Sequence, residues 1–155
     1  MIAKVLRLVA LPLVLLLIWT IARFALGVSG MPYAPRGNAM FSVFGLTLIS
    51  CIYYGALSKN LAGFGWGGTI LTGYTLGLAA QILIFIATLV SYLMGVEGTS
   101  YFAHWDSLNV PEGTMLPLSK AMTTRALGLV FGPIFPIVAA VIGRLLASLV
   151  PKPQA

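Results

Sequence analysis

Between Lys59 and Glu97 the chain carries no charge, and this uncharged run, Asn60 to Val96, constrains the fold more than any other stretch. At 1.5 Å per residue it more than covers the roughly 30 Å of hydrocarbon in a bilayer, so its apolar part reads as a membrane helix over residues 67–95. Gly65, Thr69, Gly73, Gly77 and Gln81 recur along it at four-residue intervals. Lipid tails are as apolar as leucine, so membrane helices associate where small residues let backbones approach and where an amide finds a partner. The stripe is therefore read as facing protein. Four-residue steps overshoot a turn by about 40° each, which keeps Gly65 and Gln81 off one contact line and makes Gly73 and Gly77 the expected closest approach.

Of the 155 residues, 59% are hydrophobic and 8% charged, whereas a soluble domain has about a quarter charged. The expected fold is all-α: one polytopic transmembrane bundle of four helices filling residues 1–155. Its spans fall at about residues 8–28, 39–58, 67–95 and 119–150, and its one longer outer loop, residues 96–118, carries a short interfacial helix. The net charge is +6. In such a chain a basic excess marks loops that stay with anionic lipid and cytoplasm, and no basic, aromatic-interleaved patch points to nucleic acid. Cys51 is the single cysteine, so an internal disulfide and a thiolate metal cluster are both excluded.

Lys4 and Arg7 precede Leu8 to Ala22, a pattern that resembles a signal peptide but is read here as the first span. Alone that stretch covers about 22 Å, and continuing to Val28 brings it to about 31 Å. Arg23 then lies near the far end, snorkelling to headgroups or serving as a counter-ion; Arg144 has the same two readings at the end of the last span. Pro12 sits in the first turns of its helix, where a missing amide is tolerated. Pro32, Pro35 and Gly37 mark a short connection with Tyr33 and Arg36. Thr47, Cys51 and Gly55 give the second span its own small face.

Gly63 to Gly68, around Trp66, reads as a tight reversal, since it lacks the lysine of a phosphate-binding loop and the dinucleotide fingerprint. Trp66 and Tyr92 suit the two aromatic belts. Ser119 is placed as the cap of the last helix. There Gly128 and Gly132 repeat the small-residue spacing, and Pro133 and Pro136 free the carbonyls of Leu129 and Gly132, which predicts a kink. Counting basic residues gives Lys4, Arg7, Lys59, Arg144 and Lys152 on one side against Arg23, Arg36, Lys120 and Arg125 on the other, which places both termini in the cytoplasm of a plasma or inner membrane.

The loop over residues 96–118 holds the three acids, Glu97, Asp106 and Glu112, and the single histidine, His104. Tyr101, Trp105 and Leu108 recur at helical spacing, from which a short helix lying in the interface is expected. Val110-Pro111-Glu112-Gly113 reads as a turn. His104, Trp105 and Asp106 form the candidate outer-loop site. One histidine with scattered acids falls short of a zinc site, and Ser100 and Ser107 beside His104 make no nucleophile elbow.

The reading is a non-catalytic integral membrane subunit without cofactor or metal, in contact with membrane lipids. It assembles with partner membrane proteins, or with copies of itself, through a helix-packing interface of Thr69, Gly73, Gly77, Gln81, Gly128 and Gly132 together with the outer loop. The alternatives are a small homo-oligomeric channel or transporter, for which the broken last helix argues, and a membrane enzyme with a site in the loop.

Overall fold

A computed structural model describes residues 1–33 and 41–149. Expectations placed on Pro35, Arg36, Gly37 and Lys152 lie outside the described residues. The fold is all-α, with no strand among the described residues: α1 (Ile2–Leu8), α2 (Ala10–Val28), α3 (Val43–Asn60), α4 (Trp66–Leu93), α5 (Leu118–Phe131) and α6 (Ile134–Leu145), which runs on into a 3-10 turn at Leu146–Leu149. Three segments are long and apolar enough to cross a membrane: Ala10–Val28, Trp66–Leu93 and Leu118–Leu149. This length and composition point to an integral membrane protein. The second expected span is narrower than the others: α3 has 18 residues, carries Tyr53 and Tyr54, and ends on Lys59 and Asn60.

The segments α2, α3, α4 and α5–α6 alternate in direction. Ser58 and Thr69 meet where α3 turns into α4, and their hydroxyl oxygens are 2.7 Å apart. Phe44 packs edge-on to Phe135, and Asn60 donates to the Ala147 carbonyl, so α3 and α6 run parallel. Gly77 faces Pro133 while Gly73 faces Ile137, so α4 runs antiparallel to α6. α6 packs on both α3 and α4, whereas α5 packs mainly on α4.

These contacts depend on missing side chains. A Cβ on Gly77 would lie 2.8 Å from the Pro136 ring, and one on Gly73 would lie 2.7 Å from the Pro136 carbonyl oxygen. On Gly55 it would strike the Ala140 carbonyl, and on Gly143 the Ile52 carbonyl. The faces expected to seek neighbours thus meet each other within the chain. The interior is rich in small hydroxyls: Thr47, Thr72 and Ser91 are buried, and each returns its proton to the carbonyl four residues back. Leu17, Ile21, Ile86 and Val138 are exposed on the outside. Apolar outside and small-polar inside is the distribution that a hydrocarbon solvent selects.

Several local expectations are corrected. The first helix begins at Ile2 and is interrupted at Val9, three residues before Pro12, whose missing N–H leaves the Leu8 carbonyl without its helical donor. α5 starts after Pro117 with no side-chain cap, which places Ser119 inside the helix. The expected kink is present as the break at Gly132–Pro133. No helix forms over residues 100–108; single turns such as His104 N–H to Ser100 O (3.0 Å) replace it, because Tyr101 and Leu108 fold inward and are buried against the bundle. The later turn is displaced by one residue: Thr114 N–H bonds to Pro111 O, putting Gly113, with φ 77°, at the third position, where a left-handed residue is required.

Gly143→Val forces a branched side chain onto the α3 backbone, and overpacking of this kind costs about 1–3 kcal/mol or more. Its unfolding midpoint in detergent should fall well below that of the wild type. Gly67→Ala, where a Cβ meets nothing within 4 Å, should unfold at or above the wild-type temperature. Equal midpoints for the two variants would contradict this packing.

Candidate functional site: the arginine-lined cavity under the loop

Residues 94–117 close one end of the bundle, and polar chemistry collects beneath them. Tyr101 and Phe102 are carried inward by the turns that follow Ser100, whose hydroxyl lies within hydrogen-bonding distance of the Ser91 hydroxyl. Gly27 lets α2 reach this segment, since a Cβ there would lie 2.9 Å from the Thr99 carbonyl oxygen. The Phe102 carbonyl becomes a hub: it accepts from Ser107 Oγ at 3.0 Å, from Thr88 Oγ1 at 3.3 Å and from Arg125 Nη2 at 2.5 Å. Arg125 also donates through Nε to Thr88 Oγ1 at 3.0 Å and through Nη2 to Ser107 Oγ at 3.3 Å. One guanidinium therefore ties α5 to α4 and to the loop.

Arg23 of α2 enters the same space. Its guanidinium carbon lies 5.4 Å from the Tyr101 ring centre and 5.6 Å from that of Phe102, both within cation–π range. Its Nη2 reaches the Tyr33 hydroxyl at 3.4 Å. Between the two arginines is a cavity of about 540 Å³, walled by Tyr33, Ile84 and Asn109 and floored by the first turn of α3, Ser42 to Phe44. Ser42 caps that helix, its Oγ accepting from Gly45 N–H at 3.1 Å. Burial raises the Tyr33 hydroxyl above its ordinary 10.0, against the opposing pull of Arg23, so it remains a donor at neutral pH.

The site residues expected from the sequence divide between this end and the opposite one. His104 stacks on Tyr33 at 3.7 Å and leans on Trp105, while its Nδ1 accepts the Asp106 amide N–H at 3.2 Å. The imidazole is thus engaged by backbone and rings, and no group of three metal-ligating side chains gathers among the described residues. Arg144 lies at the other end, where its Nη1 donates to Phe64 O at 2.6 Å and to Thr69 Oγ1 at 3.0 Å, and its guanidinium covers Trp66. Gly73 and Gly77 of α4 lie against the start of α6. Gln81 lies over Gly128 and Gly132: its Oε1 is 2.9 Å from where a Gly128 Cβ would stand.

Arg125 is not among the site residues expected from the sequence, where it counts only as an edge charge. A signal for it exists. Arg125 and Arg144 are nineteen residues apart, as are Thr69 and Thr88 on the helix they grip. Along α4 this spacing is about 28 Å, close to the hydrocarbon thickness. No family model matches this chain, and neither curated proteins nor solved structures show a match to it.

Burial holds the His104 imidazole below its ordinary 6.5, against the opposing pull of Asp106 and Glu112. The unfolded chain takes up this proton near pH 6.5 and the folded chain only at lower pH. The group's contribution to stability is therefore complete above pH 6.5 and is lost as pH falls toward the folded-state value. An NMR titration should place the His104 midpoint below 6.5, and His104→Gln should flatten the loss of stability as pH falls below 6.5. A midpoint at or above 6.5 would contradict the burial.

Proposed function

We propose that this protein is a non-catalytic integral membrane subunit with four spans and cytoplasmic termini, which works by assembling with other membrane chains. α3 serves as the remaining span: its 18 residues cover about 27 Å, and it lies against α4 and α6 along its length. The observation that carries the assembly reading is the state of Gln81. It sits at the middle of α4, half-buried, and its amide makes no hydrogen bond to a described residue. Beside it, Pro133 and Pro136 supply no N–H to the carbonyls of Leu129 and Gly132. In hydrocarbon each unsatisfied polar group costs several kcal/mol, so an amide and two carbonyls at one half-exposed spot favour a neighbouring helix that completes them.

The glycine stripes contribute differently from the expectation. With Gly73 and Gly77 spent on α6, the surface left for a partner is the α4–α5 flank around Gln81 and Gly128, together with the loop end. A water-filled path would satisfy the same groups, and this is the channel alternative. Native mass spectrometry of gently extracted protein should find partner chains, or further copies of this one, in fixed ratio. Gln81→Leu should abolish that association while the chain still inserts and unfolds cooperatively. A lone chain in the extract, with Gln81→Leu indistinguishable from wild type, would sink the assembly reading, and ion flux abolished by the same substitution would favour the channel.

A further inference from the structure

The cavity between Arg23 and Arg125 holds two guanidinium groups, and no carboxylate of a described residue lies within ion-pair distance of Arg125. Every hydrogen bond that Arg125 makes to a described residue goes to a neutral acceptor through Nε or Nη2. Its Nη1 makes none, and it is not sealed inside the protein. A guanidinium offers five N–H donors in a planar fork suited to a tetrahedral oxyanion, and two of those donors remain here.

The floor of the cavity adds to the same potential. The first amides of α3 have no acceptor within their own helix, and a helix N-terminus carries about half a positive charge. α3 begins level with Phe135 of α6, so its positive end lies below the two arginines rather than at the bundle surface. The Tyr33 hydroxyl, which accepts from Arg23, keeps its own proton and adds a neutral donor on the wall. Asn109, one of the wall residues, has left-handed backbone at φ 57°. Such conformations persist only where the surroundings over-determine them, and they cluster at binding sites.

The remaining wall is apolar. Val43, Phe44 and Ile84 line the side toward the gap between α3 and α5, a gap that exists because the break at Gly132–Pro133 leaves α6 on α3 while α5 follows α4. Phe44 and Phe135, in edge-to-face contact at 6.3 Å, stand partly exposed below that gap. A cavity of about 540 Å³ lies within the roughly 300–1,000 Å³ usual for small-molecule sites, and it joins a cationic end to a greasy exit.

The geometry points to a binding site for a phosphate group carried on a lipid: the phosphate sits between Arg23, Arg125 and the α3 N-terminus, and the acyl chain leaves past Phe44 between α3 and α5. The site is complete within one chain and does not depend on the assembly reading, so either can fail without the other. A lipid phosphate and free inorganic phosphate share the head chemistry, and the apolar exit favours the lipid.

The test uses the full chain in mixed micelles, with the unfolding midpoint followed against added phosphatidic acid, phosphatidylcholine or inorganic phosphate. Phosphatidic acid should raise the midpoint saturably, and phosphatidylcholine should raise it much less. Arg23→Gln should weaken the apparent affinity for phosphatidic acid about tenfold or more, the scale expected when a charge-assisted hydrogen bond is removed. Arg125→Gln also removes the clasp on Thr88 and Phe102, so Arg23 and Phe44→Ala carry the test: Phe44→Ala should weaken lipid binding in a chain that keeps both arginines. Arg7→Gln, at the opposite end, should bind as the wild type does. A shift with inorganic phosphate alone would overturn the lipid, and equal shifts in wild type and Arg23→Gln, or none at all, would overturn the site.

Discussion

Backbone-to-backbone contact between α6 and its two neighbours holds this bundle together. In water, burying leucine side chains would drive helices together; in hydrocarbon that force is absent, and attraction must come from close packing and from polar groups that find each other. Gly73 and Gly77 accept the Pro133 and Pro136 region, while Gly55 and Gly143 let α3 and α6 touch through their carbonyls. The prolines serve both sides of this arrangement. They give α6 the ridge that fits the glycine groove, and by breaking the last helix they turn α5 away from α3.

The same break explains where the polar chemistry collects. A straight last helix would follow α3 and close the upper part of the bundle; the broken one leaves space there, which Tyr101 and Phe102 cover from above. Arg125 and Arg144 then act as matched clasps. Each grips a threonine of α4 and a phenylalanine carbonyl in the adjoining loop, Thr88 with Phe102 and Thr69 with Phe64. They stand about one hydrocarbon thickness apart along α4, where a guanidinium can satisfy protein carbonyls and remain near headgroups and water. At the Arg144 end the clasp is closed over Trp66, whereas at the Arg125 end it borders a cavity shared with Arg23.

Much of the architecture is legible residue by residue. The uncharged run bounds α4 to within a few residues, Pro133 marks the break, and the four-residue spacing locates the closest approach of α4 at Gly73 and Gly77. The misreadings share one cause. Tyr101, Trp105 and Leu108 have helical spacing, yet the loop buries Tyr101 and Leu108 in the bundle end, and no local pattern records that a hole waits there to be filled. Ser119 is a good capping residue in isolation, but the helix begins one residue before it, after Pro117, whose extended backbone sets the start. Arg125 looks like a boundary charge because its acceptors, Thr88 and the Phe102 carbonyl, lie on other elements.

The sequence by itself determined the class, a helical protein with spans set by uncharged runs, because the bilayer imposes length and apolarity on each helix separately. It also determined which residues could touch closely, because only glycine lacks a Cβ. Tertiary structure decided which faces those glycines meet, and it decided that Arg23, Arg125 and the α3 N-terminus converge on one cavity. Such convergence depends on how α5 diverges from α3 and how the loop folds back, which are properties of several elements packed together and of no single stretch of chain.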